Sequence, residues 1–112
     1  MRPSLNYSRP DGEEEFIIFD RRIGDYQETL RIRISENGWT EIYFRDKNWG
    51  GSLMDRGYEY YLTIAPEKAE KLSRDELIKD RNDFPNGEAA KKDVFKVCKA
   101  ASVWGAEYIH DL

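Results

Sequence analysis

The chain has one cysteine, one histidine and no long apolar run, and each shortage closes off a class of function. A lone Cys98 cannot form an intramolecular disulfide, which fits a reducing compartment. With His110 as the single histidine, a nitrogen/sulfur zinc site cannot be built without carboxylates. No stretch approaches the roughly 18–20 apolar residues of a membrane span. Residues 1–10 lack the apolar core of a secretion signal, so the expectation is a cytoplasmic protein with no membrane attachment.

Excess positive charge is also missing. Eighteen basic and 22 acidic residues leave a net charge of −4, which argues against a general electrostatic grip on nucleic acid. The acidic clusters at Glu13–Glu15 and Asp80–Asp83 lack the ligand spacing of a calcium loop. Gly50-Gly51-Ser52 lacks the lysine and following helix of a phosphate-binding loop. The 22 acids offer no distinguishable carboxylate pair for glycosidase-type chemistry. No cofactor or metal is therefore expected, and there is no internal repeat.

What the chain does have is aromatic residues: three Trp, seven Tyr and five Phe in 112 residues. That is enough large buriable surface for one domain with a single core. Residues 1–12, with Pro3, Pro10 and Gly12, read as a loose N-terminal arm to that domain. Phe16–Phe19 reads as a short strand buried on both faces, because both alternate sets are apolar. Residues 20–27 read as a connection.

Thr29–Ser35 alternates cleanly, with Leu30, Ile32 and Ile34 on one side and Arg31 and Arg33 on the other. That predicts a half-buried antiparallel strand. Asn37-Gly38 predicts a type I′ hairpin turn into a strand over Trp39–Arg45. The apolar segment 46–56, with Trp49, Leu53 and Met54, reads as a long loop of the kind that often carries function. A last meander strand, Gly57–Ala65, should bury Tyr58, Tyr60, Leu62 and Ile64 and leave Glu59 and Tyr61 outside.

Pro66 suits a first helical position, where its missing N–H costs nothing. Ser73 and Glu76 form a capping box, which predicts a break near Leu72 and a restart at Arg74. Glu88–Trp104 reads as the longest helix, with Ala90, Val94, Val97 and Cys98 on its apolar face and Gly105 as its C-terminal cap. Residues 106–112 read as a short fifth strand or a docked tail; as a strand it is placed beside strand four, with an edge position next to strand one left open. The fold expected is α+β, in the order β-β-β-β-α-α-β. It would be an antiparallel sheet of four to five strands with two to three helices on one face.

The outer face of that sheet collects Arg31, Arg33, Trp39, Glu41, Tyr43, Arg45, Glu59 and Tyr61. Tyr, Trp and Arg are enriched at interface hot spots because they bury area and keep a polar handle. The competing reading is a wet sheet face whose side chains pair across strands. An RNA-recognition sheet would need a different element order and a glycine–aromatic signature, and neither is present.

The stretch Tyr58-Glu59-Tyr60-Tyr61-Leu62-Thr63-Ile64-Ala65-Pro66-Glu67, together with the tail Gly105-Ala106-Glu107-Tyr108, resembles a loose group of small bacterial α+β proteins. Some proteins of this look are immunity proteins that neutralise a toxin. The resemblance implies a non-catalytic domain that blocks a partner protein, such as a toxin or effector, by covering it.

Three functional expectations follow. The first is that inhibitor, which is not an enzyme and binds through Trp39, Glu41, Tyr43, Arg45, Trp49, Leu53, Met54, Glu59 and Tyr61; a homodimer through the same face fits the same pattern. The second is a small-ligand or nucleotide-binding protein with a pocket between the 46–56 loop and the sheet. The third, an enzyme using Cys98 or His110, requires the two to meet with an orienting third group. The apolar-face position of Cys98 reads instead as a buried small hydrophobe, and His110 as a solvated tail residue.

Overall fold

The computed structural model describes residues 5–8, 12–49 and 56–112, with the backbone alone at residues 5–8 and 56. The described residues form a six-stranded antiparallel meander in which every strand pairs with the next in sequence. The strands are β1 (Leu5–Ser8), β2 (Glu14–Ile23), β3 (Tyr26–Ile34), β4 (Thr40–Asn48), β5 (Arg56–Ile64) and β6 (Ala106–Asp111). Three helices lie between β5 and β6: α1 (Pro66–Ala69), α2 (Arg74–Ile78) and α3 (Gly87–Ala100). The α+β class, the helices on one face and the placement of the last strand beside the Tyr-Glu-Tyr strand all agree with the sequence reading.

Parity decides the core. Leu30, Ile32, Ile42, Phe44, Leu62 and Ile64 are fully buried and meet Ala90, Val94 and Cys98 of α3. Removing each Leu or Ile side chain from water contributes about 1.5–3 kcal/mol, which makes this register strongly preferred over a one-residue slip.

Five local readings are corrected. Residues 5–8, expected within a loose arm, pair with β2 as an edge strand. The apolar run Phe16–Phe19 is not a strand buried equally on both faces. The register steps over Ile18, a bulge that turns Ile18 and Phe19 both into the core and leaves Ile17 opposite Arg31. Residues 20–27 are not a loose connection, because β2 and β3 continue to a two-residue turn. Its first central residue, Gly24, has φ 59°, as a type II′ turn requires. Polar pairing holds this extension: Thr29 and Gln27 donate to Asp20, and Arg21 donates to the carbonyls of Asn82, Phe84 and Pro85.

The Asn37-Gly38 turn is not type I′, since Asn37 keeps a negative φ and only Gly38 (φ 94°) is left-handed. The Gly38 N–H donates to the Ser35 carbonyl, and the Ser35 N–H to the Trp39 carbonyl. That is a type I turn closed by a glycine bulge.

The helical region breaks where the capping box predicts, with Ser73 accepting from the Glu76 N–H. The long helix, however, ends at Ala100 rather than Trp104. Ser102 adopts φ 56°, its N–H donates to Lys99, and the Val103 N–H donates to Cys98. This is a Schellman cap with serine where glycine is usual. Gly105 serves another purpose: a Cβ there would collide with the Thr63 carbonyl, so glycine lets the returning chain dock on β5.

Candidate functional site

The face of the sheet opposite the helices carries a row of side chains in direct register. Arg31 lies opposite Tyr43, Tyr43 opposite Tyr61, and Tyr61 opposite Tyr108, one residue from each of β3, β4, β5 and β6. The Arg31 guanidinium sits 4.2 Å from the Tyr43 ring centroid. Centroids then follow at 5.1 Å from Tyr43 to Tyr61 and 5.9 Å from Tyr61 to Tyr108. Tilted rings at these spacings attract one another beyond the area they bury.

A second row, Thr29–Arg45–Glu59–His110, runs beside the first. Glu59 joins the two rows: it accepts from the Tyr43 hydroxyl and lies 3.2 Å from His110 Nδ1. The Tyr43 bond, then His110 and the Arg45 charge, hold the Glu59 carboxyl below the usual carboxylate range against its own burial. Burial first, and the Glu59 bond second, push the Tyr43 hydroxyl well above the usual phenol range. Both groups therefore keep the protonation states that the bond needs at neutral pH.

A third row contains Glu15, Arg33 and Glu41. Arg31 pairs with Glu15 at 3.0 Å, and Arg33 approaches Glu13, Glu15 and Glu41 at 3.6–4.0 Å. These contacts set carboxylates against the charges of Arg31 and Arg33. The network is not closed: among the described residues, Arg31 Nε, Arg33 Nε, Arg45 Nε and one Glu41 oxygen are buried without a hydrogen-bond partner.

The expected site residues divide into three groups. Trp39, Glu41, Tyr43, Arg45, Glu59 and Tyr61 lie on or at the margin of the outer face, and Trp49 continues the alternation just beyond β4. Trp39 and Trp49 bracket the outer side of β4, ten residues and therefore about 33 Å apart. Each is nearly half exposed, at 45% and 44%. Arg45 and Lys47 stack on the Trp49 ring at 5.5 and 5.0 Å. Tyr43 differs from its expected role. It is only 5% exposed, so it props up its neighbours and is not itself an open anchor. Leu53 and Met54 lie outside the described residues, as does most of the loop invoked for the alternative ligand pocket.

Two members of the face were missed: Tyr108, which is 60% exposed, and His110. Their signal was the alternation of Ala106–Asp111, which becomes readable once β6 is set in register against β5. Cys98 and His110 do not meet. Cys98 is buried beneath α3 on the helix side, while His110 bonds Glu59 on the outer side. Burial raises the Cys98 thiol to about 11, which leaves it protonated and unreactive at neutral pH. Among the described residues no cluster of His, Cys, Asp and Glu could hold a metal ion, and no helix is long and apolar enough to cross a membrane.

Comparison of the chain with protein-family models, curated proteins and solved structures finds no match.

Proposed function

We propose that the chain is a non-catalytic protein-binding domain that blocks a partner protein by laying the outer face of its sheet over it, in the manner of an inhibitor or immunity protein. The observation that carries this reading is the aromatic row Tyr43–Tyr61–Tyr108, in register across three strands on the side of the sheet opposite the described helices. A sheet face serving only as solvated surface gains little from a tyrosine row. A binding face gains rigid, amphipathic area that costs little entropy to immobilise. Tyr61 and Tyr108 supply contact area, Trp49 marks one margin, and Arg45, Glu41 and Glu59 supply the polar rim. The partner is a protein with an apolar centre and mixed charges, since the rim carries both signs.

The test is site-specific photo-crosslinking in the native host. A crosslinker at residue 108 or 61 should capture one protein, whereas the same group at Lys96 on the exposed side of α3 should not. Tyr61→Ala with Tyr108→Ala should abolish that capture from a crosslinker at residue 49 while the variant's circular-dichroism spectrum remains that of the folded chain. Equal capture from residue 96, or capture that survives the double substitution, removes the assignment of this face.

A further inference from the structure

A second site lies at the end of the sheet where β5 runs into α1 and the α3–β6 connection returns. A groove of about 540 Å³ opens there, lined by Trp39, Lys68, Lys71, Ser102 and Trp104, with Thr63, Ala65, Val103, Gly105 and Ala106 completing its walls. Its volume is within the usual range for small-molecule sites.

The chemistry of the lining is one-sided. The protein as a whole is acidic, yet among the described residues no carboxylate lines the groove. Its charged side chains are Lys68 and Lys71, both cationic and three residues apart where the chain leaves α1. Among the described residues, no hydrogen bond or ion pair engages the Lys68 and Lys71 ammonium groups, the Ser102 hydroxyl or the Trp39 indole N–H. Trp104 is held in place: its Nε1–H donates to Glu107 at 3.2 Å, and Lys99 covers its ring at 5.8 Å. The groove therefore offers four unused donors and two indole walls.

Ser102 adds an independent sign. It keeps the left-handed conformation of the α3 cap, where glycine would be less strained, and it is itself a lining residue of the groove. Strain held at a lining residue is the pattern of a site that retains a side chain for use.

We propose that this groove binds a small organic anion, a carboxylate or phosphate on a planar apolar body. The anionic group rests on Lys68 and Lys71, and the body packs against Trp39 and Trp104. Charge-assisted donors select the anion, and the indoles select the body. The site does not depend on the sheet-face reading, because neither Tyr61 nor Tyr108 lines it.

Titration of the full chain with indole-3-acetate, phenyl phosphate and neutral indole-3-acetamide, followed by amide and indole N–H resonances, tests the proposal. At least one anion should give saturable shifts at residues 102–106 and at the Trp39 and Trp104 indoles, and the comparison of the two tells carboxylate from phosphate. The double variant Lys68→Ala/Lys71→Ala, whose own spectrum reports its fold, should weaken that binding at least about tenfold. Tyr61→Ala should leave it unchanged. The proposal is overturned if neither anion saturates at millimolar concentration, if the acetamide binds as tightly, or if the lysine variant binds like the parent.

Discussion

Arg81 reaches Asp93 through a 2.9 Å ion pair, and the arginine side chain is entirely buried. The same guanidinium donates to the carbonyls of Glu76, Leu77 and Lys79, while the Arg81 backbone N–H donates to Ile18 in the β2 bulge. The side chain thus closes the C-terminal end of α2 and ties it to α3, and the backbone of the same residue docks both on the sheet. Burial lowers the arginine pKa and Asp93 opposes that shift, so the group stays charged. Arg81→Ala should cost about 3–5 kcal/mol, because it strands three carbonyls and leaves Asp93 with only the longer Lys79 contact. Arg81→Lys should recover only part, since one nitrogen cannot reach all four acceptors. Urea denaturation measures both, and a loss below about 1 kcal/mol for the alanine variant would show that water replaces the guanidinium.

Ser102→Gly should stabilise the chain by up to about 1 kcal/mol, because a left-handed cap position favours a residue without Cβ. The same substitution should weaken anion binding in the groove. A thermal melt and a titration of the one variant check both, and unchanged stability would mean that the serine hydroxyl already offsets its backbone strain.

The Tyr43–Glu59 bond sets a pH dependence. The Glu59 pKa is lowered in the folded chain, so its contribution is fully present above the ordinary carboxylate value. That contribution is lost as pH falls through that value and below the folded one. Tyr43→Phe removes the largest cause of the shift, and the Glu59 carboxyl carbon should then titrate closer to the ordinary range. An unmoved midpoint in a carbon-detected NMR titration would transfer the effect to His110 and Arg45.

Cys98 should resist alkylation near pH 8 in the native state and react promptly in denaturant, since its thiol is buried and raised to about 11. Mass spectrometry after a timed iodoacetamide pulse reads this directly. Labelling faster than global unfolding would reveal a local opening of α3.

Much of this structure was legible because the signals were local. Alternation in Leu30–Ile34 and Tyr58–Ile64, Pro66 at a helix start, and the Ser73–Glu76 box each act within a few residues, and each appears where the pattern puts it. What escaped depends on distant partners. Phe19 joins the core only because a bulge at Ile18 shifts the register, and no property of Phe16–Phe19 alone announces it. The polar ends of β2 and β3 are strands because the segment 82–85 offers acceptors to Arg21. The cap falls on Ser102, and Gly105 is instead required by the Thr63 carbonyl, which claims the space a Cβ would fill. The candidate face was visible by parity, but that Arg31 and Tyr61 flank Tyr43 was not.

The order of the sheet also has a kinetic consequence. The first four pairings join strands that are neighbours in the chain, so each closes at small entropic cost. The pairing of Thr63 with Ala106 must instead wait until three helices have reversed the chain. Closure of β6 should therefore come last in folding and open first in native-state hydrogen exchange, exposing the hydrogen-bonding edge of β5. Since Tyr108 and His110 leave with that strand, the aromatic row is complete only after the final step of folding.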